Sequence, residues 1–514
     1  MTQQHSPSAT DPVAWLEHAL ATRPEHCCIE SADGTRFSYA DVFDWSGRFA
    51  AALGAQGVRA GDRVAAQVEK SPQAFLLYLG CLRLGAVFLP LNTAYPPAEL
   101  AYFLQDASPS LFVTRPDERA ALEAALAPRM QLPPLLTLGS DADGSLMALA
   151  ERCDPLAFVP FGGAADALAA LLYTSGTTGR SKGAMLSRAN LASNAAALVR
   201  AWRFSGDDVL LHALPVFHAH GLFIAANTML ACGGTMLFLP RFDADEVMRL
   251  MPRASAMMGI PTFYTRLLAH PGLTRAATAH MRLFVSGSAP LLVETHRQFE
   301  RATGHLILER YAMTETVVIT TNPYQGLRLP GSVGSALPGV ELTVRDPDTG
   351  AACGADQVGM IEVRGPNVFS GYWNMPDKTR EELRADGYFI TGDLGMIDAA
   401  GYVHIVGRGK DLIITGGYNV YPKEVEGELD ALPGVLESAV IGLPHRDLGE
   451  GVTAVVVAHP GQAIDEAGLL AAMDGRLARF KLPKRVLVVP ELPRNAMGKV
   501  QKNLLRDAYA GLYR

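Results

Sequence analysis

Through much of its first 400 or so residues the chain alternates between helical periodicity and short apolar runs of strand length. This alternation restricts the fold more than any other feature. DRVAAQVE reads as a strand, SPQAFLLYLGCLRLG as a helix and AVFLPL as the next strand; MRLFVSGSAP and LVETHRQFERATG repeat the theme further on. Strands separated by helices are joined in parallel, with helices packed on both faces of the sheet. The fold class predicted is therefore α/β, a large N-terminal domain of layered α/β sheets. From Gly331 to His404 the texture changes to short β-rich runs with glycine turns (VELTVRD, GMIEVRG, GYFITGD, GYVHIVG), which predicts a small β-barrel-like subdomain. After Asp411 a compact unit of about 100 residues, an ordinary domain size, places strand-like runs around two helices: a small α+β C-terminal domain. The segment GRGKD marks the boundary, giving domains 1–409 and 410–514.

Composition excludes several classes. A net charge of −7 does not attract phosphate backbones, so no nucleic-acid partner is expected. The longest apolar stretch, Phe75–Leu91, is broken by Arg83 and two glycines, and reads as a buried helix followed by a strand rather than a membrane span. The N-terminus lacks a basic start followed by an apolar run, so no secretory signal is expected. Six cysteines without a CxxC pair suggest neither a zinc site nor a redox motif; they read as reduced thiols of a cytoplasmic protein. The sequence is silent on oligomeric state.

The strongest local signal is LLYTSGTTGRSKGAMLS, Leu171–Ser187. An apolar strand runs into small hydroxylated residues and glycines, and a helical pattern opens near Ala189. In such a loop, Thr174, Ser175, Gly176, Thr177, Thr178 and Gly179 can turn successive amides and hydroxyls toward phosphate oxygens, and Lys182 adds a mobile positive charge. A Ser/Thr/Gly loop standing alone would be a surface turn; the flanking strand and helix and the lysine favour phosphate binding. G-x-x-x-x-G-K-[ST] does not occur, which argues against a P-loop ATPase.

Further motifs follow in order: LPVFHAHGL (Leu214–Leu222), SGSAP (Ser286–Pro290), ERYAMTET (Glu309–Thr316), GMIEVRGPNVFSGYW from Gly359, ITGDLG from Ile390, GRGKDLIITGGYNVYPKEVE from Gly407 and PRNAMGKVQK from Pro493. Together with the glycine-rich loop, this set resembles the acyl-adenylate-forming superfamily, and within it the acyl-CoA synthetase branch. The resemblance covers nearly the whole chain. It implies ATP, Mg2+ and coenzyme A as reaction partners. Glu315 would hold the metal and Thr314 would touch phosphate. Tyr311 would stack on adenine, and Ser288, Ala289, Pro290, Glu309 and Arg310 belong to nucleotide-site motifs. Asp393 would accept the ribose hydroxyls, with Arg408 beside it; an ionised Asp is an acceptor for two donors. Lys499 would be catalytic, bringing a point charge to the carboxylate and α-phosphate during adenylation. Outside these motifs Glu315 would be an ordinary exposed carboxylate, Asp393 a turn residue and Lys499 a solvated surface charge.

Enzymes of this kind use a mobile C-terminal domain twice, once for each half-reaction. Lys410 has the hinge position, Gly416 and Gly417 would line the pantetheine channel, and His218 matches a position that gates thiol access. The chain ends 15 residues after Lys499, which favours free coenzyme A over a fused carrier domain. One departure stands out: Ala312 replaces the glycine usual in the ERYGMTET pattern, where an added methyl would narrow the acyl pocket or shift the adenine contact.

The run from Leu211 to Pro323 resembles malonyl-CoA synthetases, so malonate or methylmalonate is the acid implied. A dicarboxylate leaves a second carboxylate in the pocket, and burying it unpaired costs several kcal/mol. Arg282, just before the LFVSGSAP run, is the leading candidate to meet it, with Ser286, His218 and Arg266 behind it. Ala312 and Met313 would shape the pocket. Arg282 fits equally a structural ion pair at a strand start. The alternatives are a monocarboxylate synthetase and a catalytically silent nucleotide-binding homologue.

Overall fold

The computed structural model describes residues 11–174 and 181–513. The chain packs as two compact units, one running to Glu341 and adding Val363–Phe389, the other made of Leu342–Glu362 and Ile390 onward. Packing thus groups residues 342–362 and 390–409 with the C-terminal region, a different grouping from the break expected after residue 409.

Two sheets build the first unit. In the six-stranded one, the order is Leu135–Thr137, Leu111–Thr114, Arg63–Gln67, Val87–Pro90, Leu168–Thr174 and Lys182–Ser187. The first five run parallel; the last pairs antiparallel with Leu168–Thr174, placing Thr174 opposite Lys182. In the nine-stranded sheet, Leu308–Met313, Leu283–Ser286, Ala256–Gly259, Val209–His212 and Thr235–Phe238 are parallel neighbours. The ends of these parallel strands carry the motifs.

The apolar stretch from Phe75 is a helix followed by a strand. Ser71 caps the helix Pro72–Leu84 by accepting the Ala74 N–H, and every residue of that helix is buried. Gly80 lets it approach the helix Tyr39–Ala55, because a Cβ there would press on Phe49 and the Ser46 carbonyl. Gly85 (φ 81°) ends the helix in a left-handed turn and Val87–Pro90 enters the sheet. Behind the glycine-rich loop, Ser187 and Asn190 form a reciprocal cap on the helix Arg188–Ala201.

In the second unit, Phe389–Ile397 pairs antiparallel with Val403–Arg408. The C-terminal sheet joins Ile413–Thr415, Tyr418–Val420, Val435–His445, Gly449–Ala458 and Arg485–Val489, with the helices Pro422–Asp430, Glu466–Met473 and Lys502–Tyr509. Among the described residues no helix is long and apolar enough to cross a membrane.

Candidate active site

The site residues of the first unit fall into two groups. One is built around Lys182. The strand Lys182–Ser187 buries this lysine, with Nζ 3.1 Å from both carboxylate oxygens of Glu382 and 4.1 Å above the Tyr372 ring. The Tyr372 hydroxyl donates to Glu382 Oε2 (2.6 Å) and also lies 3.0 Å from Glu315 Oε1. Thr174 Oγ1 stands 3.5 Å from that same oxygen. Lys182, Glu382, Tyr372, Glu315 and Thr174 therefore form one continuous, largely buried network. Burial alone would raise the Glu382 carboxyl, but hydrogen bonds from Tyr372, Lys378 and Lys182 win and hold it below its usual range. Ser175, Gly176, Thr177, Thr178 and Gly179 lie outside the described residues.

Glu315 sits in the turn between the antiparallel strands Leu308–Met313 and Val317–Thr321, following Thr314. Val317 has φ 52° and Ser288 φ 72°, left-handed values that cost an L side chain, and a β-branched one most. Strain of this kind persists where the surroundings over-determine it, as at binding sites. Tyr311 is half-buried, its hydroxyl 3.4 Å from Met313 Sδ. Glu309 accepts the Leu291 N–H (3.1 Å) and so ties down the SGSAP loop. Ala312 lies at a register shift in the pairing but is not among the left-handed residues, so its backbone does not require glycine.

The second group surrounds Arg310. This arginine is 3% exposed, and its guanidinium packs so closely on Gly287 that a Cβ there would collide with it. Its Nε and Nη2 have no hydrogen-bond partner within the described protein. Burial lowers its pKa to about 9, so it stays charged at neutral pH. Around it stand His218, His220 and Ser288. His220 Nδ1 lies 3.1 Å from Ser288 Oγ. His218 Nδ1 accepts the His220 N–H (3.2 Å), which leaves the ring proton on Nε2. Burial and then the Arg310 charge pull His218 to about 4, and the same causes push His220 well below its usual value. Both rings are neutral at pH 7. The buried hydroxyl of Ser286 likewise has no partner among the described residues. Ala289 is partly buried and Pro290 exposed in the same loop.

Arg282 requires a correction. Its Nε and Nη2 bond both oxygens of Asp208 (2.6 and 2.9 Å), Nη1 donates to the Trp202 carbonyl (2.9 Å), and the guanidinium lies 4.5 Å from the Phe204 ring. A carboxylate within the protein already meets its charge, so it is the structural ion pair and not a receptor for substrate. Arg266 is exposed on the helix Pro261–Leu268.

Within the second unit, Asp393 pairs across the sheet with Arg408, whose Nε lies 3.0 Å from Asp393 Oδ1. Lys410 occupies the single helical turn Gly409–Asp411, and Asp411 is bound by Arg506 at 2.5 Å. Lys499 sits in a loop closed by Asn495, whose side chain accepts the N–H groups of Met497 and Lys499 (both 3.0 Å). The Lys499 residue keeps exposed surface, yet its amine is crowded. Desolvation first, then the charge of Arg408, lowers it to about 8. Gly416 (φ 57°) and Gly417 (φ 83°) form the two-residue turn between Ile413–Thr415 and Tyr418–Val420. Two left-handed residues in succession at a hairpin turn require glycine on backbone grounds.

The chain as a whole is similar to known proteins. The AMP-binding enzyme family matches residues 16–373, and its C-terminal domain matches 424–499. The chain belongs to the AMP-binding enzyme family. Among similar members of this family, a malonate–CoA ligase of Arabidopsis thaliana is 34% identical over 87% of this chain and 78% of its own length. A mitochondrial malonate–CoA ligase of Mus musculus is 37% identical over 83% of this chain and 78% of its own. The crystal structure of ATP-bound MatB from Rhodopseudomonas palustris superposes with a TM-score of 0.94 at 57% identity, covering 97% and 99% of the two chains.

Sequence reasoning missed Glu382, Tyr372 and His220. Tyr372 and His220 lie inside motifs already singled out, and the H-x-H spacing was the available signal for His220. Glu382 carries none, because its part depends on a contact 200 residues away.

Proposed function

We propose that this AMP-binding enzyme is a malonate–CoA ligase. A malonate carboxylate oxygen attacks the α-phosphorus of ATP and pyrophosphate leaves, giving malonyl-adenylate. The thiol of coenzyme A then attacks the acyl carbonyl, and AMP leaves with the electrons of the broken C–O bond. The observation that carries the choice of acid is Arg310, a buried cation with no carboxylate partner among the described residues, beside two neutral histidines and Ser288. A monocarboxylate would leave that charge uncompensated; the distal carboxylate of malonate meets it. Similarity to two malonate–CoA ligases supports the same reading.

The other roles belong to the proposal. Lys182, held by Glu382 and Tyr372, binds phosphate. Glu315, with the hydroxyls of Thr174 and Tyr372 close by, is a hard oxygen-donor set suited to Mg2+, and we assign the metal there. When bound, the ion neutralises phosphate charge. Asp393 and Arg408 contact ribose. Lys499 serves adenylation, Lys410 is the hinge of a mobile segment from 410 to 514, and His218 borders the thiol path. Six free cysteines, three of them buried, suit a reducing compartment, and we place the enzyme in the cytoplasm.

The test is AMP release from ATP and coenzyme A with malonate, methylmalonate, acetate and propionate. The proposal predicts that malonate gives the highest kcat/KM; preference for a monocarboxylate would overturn it.

A further inference from the structure

Lys70 is a buried lysine that none of the proposed steps uses. It follows the strand Arg63–Gln67 of the six-stranded sheet, is 7% exposed, and has no carboxylate partner among the described residues. Its neighbour Glu69 turns instead to Arg115 (3.0 Å). Lys70 Nζ reaches across to the nine-stranded sheet and donates to the His212 carbonyl (2.6 Å) and to His212 Nδ1 (2.9 Å), above the Phe238 ring at 4.3 Å.

His212 ends the strand Val209–His212 and is fully buried. Burial, then any charge on Lys70, holds the ring well below its usual range, so it is neutral; the Gly221 carbonyl only accepts, so the ring proton sits on Nε2 and Nδ1 accepts from Lys70. From there it is donated to the Gly221 carbonyl (2.8 Å). Gly221 lies in the π-helical segment His220–Ala226, at a point so tight that a Cβ would strike the Pro215 carbonyl. The residue before it is His220, which bonds Ser288, and its N–H in turn holds His218. Polarity therefore runs in one direction, from Lys70 through His212 to the segment carrying both histidines. Burial without a counter-ion pulls the Lys70 amine well below the usual lysine range, and an unpaired amine there is costly. The two acceptors and the ring face offset part of that cost, and both acceptors belong to His212.

We infer that Lys70 and His212 are positioning residues for acid selection: the Lys70–His212–Gly221 chain fixes one histidine tautomer and thereby the placement of His218 and His220 beside Arg310. This rests on the reading of Arg310 and its histidines as the acid pocket. Neither Lys70 nor His212 need touch substrate.

The experiment compares Lys70→Met, His212→Phe and His212→Gln in the full-length enzyme. Kinetics are read with malonate, acetate and ATP as varied substrates, and thermal melts accompany them. Lys70→Met and His212→Phe should each raise KM for malonate about tenfold and lower the malonate-to-acetate ratio of kcat/KM by a similar factor, with KM for ATP within about twofold. His212→Gln keeps one acceptor for Lys70 and one donor for Gly221, and should restore the ratio to within about threefold of wild type. Combining Lys70→Met with His212→Phe should add little to either alone, since both break one chain. Equal rises in KM for malonate and ATP, or an unchanged acid ratio in melts showing a folded protein, would reduce the pair to a tie between two sheets and overturn the inference. Arg310→Gln separates the two levels. If it leaves the acid ratio unchanged, the pocket reading fails; if it moves the ratio while the Lys70 and His212 variants do not, only this inference fails.

Discussion

Arg282, partly buried, stands just before the strand Leu283–Ser286, and Arg310, buried, lies on the neighbouring strand Leu308–Met313; they meet opposite fates. Arg282 is held by both oxygens of Asp208 and by a backbone carbonyl. Arg310 is more deeply buried, yet its neighbours are the neutral His218 and His220, the second of which bonds Ser288, and two of its guanidinium nitrogens have no partner among the described residues. The contrast separates two uses of a buried cation. A charge neutralised inside the fold maintains the fold. One left without a counter-ion stores a penalty that an incoming anion relieves.

The largest expected effect strikes at Arg310. Arg310→Gln should lower kcat/KM for malonate by roughly two to three orders of magnitude, from about 3–5 kcal/mol for a lost buried pairing, and lower it much less for acetate. Steady-state kinetics with both acids check this. Arg282→Met should behave in the opposite way: about 3 kcal/mol less stability in denaturant unfolding, because Asp208 is left without its counter-ion, and no change in the malonate-to-acetate ratio. Selective loss of malonate activity in that variant would dissolve the contrast.

Acid pH sharpens it further. His218 is held to about 4 in the folded protein, by burial and then by Arg310, against about 6.5 unfolded. Below pH 6.5 the unfolded chain takes up a proton that the native one refuses, so stability falls with falling pH down to about 4 and then levels. The slope is about 1 kcal/mol per pH unit for each such histidine. Melts of wild type and His218→Gln between pH 4 and 7 measure it, and the variant should lose one histidine's share. The Arg282–Asp208 pair contains no histidine; its own pH dependence enters only at the acid end, where Asp208, held below the usual carboxylate range, resists the proton that the unfolded chain takes up.

Much of this was legible in the sequence for reasons of local physics. Alternating periodicities gave parallel sheets, and the helical pattern opening near Ala189 is the helix Arg188–Ala201. Ordered motifs marked Lys182, Glu315, Asp393 and Lys499. The roles of the two arginines were not legible, because each is decided by residues far away in the chain. Asp208 sits 74 positions before Arg282, and nothing local announces it. Gly417 is expected to line the pantetheine channel, and its φ of 83° in a two-residue turn is a second reason for glycine that no motif announces. At Ala312 the absent glycine suggested a narrowed pocket or a shifted adenine contact; the backbone there lies at a register shift but is not left-handed, so it does not itself demand glycine. The smallest prediction follows: Ala312→Gly should cost about 0.5–1 kcal/mol of stability through backbone entropy, with KM for ATP unchanged within about twofold.

The central claim is that Arg310 reads the second charge of the acid. Malonamate tests it most directly, since it keeps the size of malonate and replaces the distal carboxylate by a neutral amide. In the wild-type enzyme kcat/KM for malonate should exceed that for malonamate by about a hundredfold or more, and Arg310→Gln should bring the two within about threefold. If the wild-type enzyme used both acids equally, or if the preference survived in Arg310→Gln, the charge-reading role of Arg310 would be contradicted.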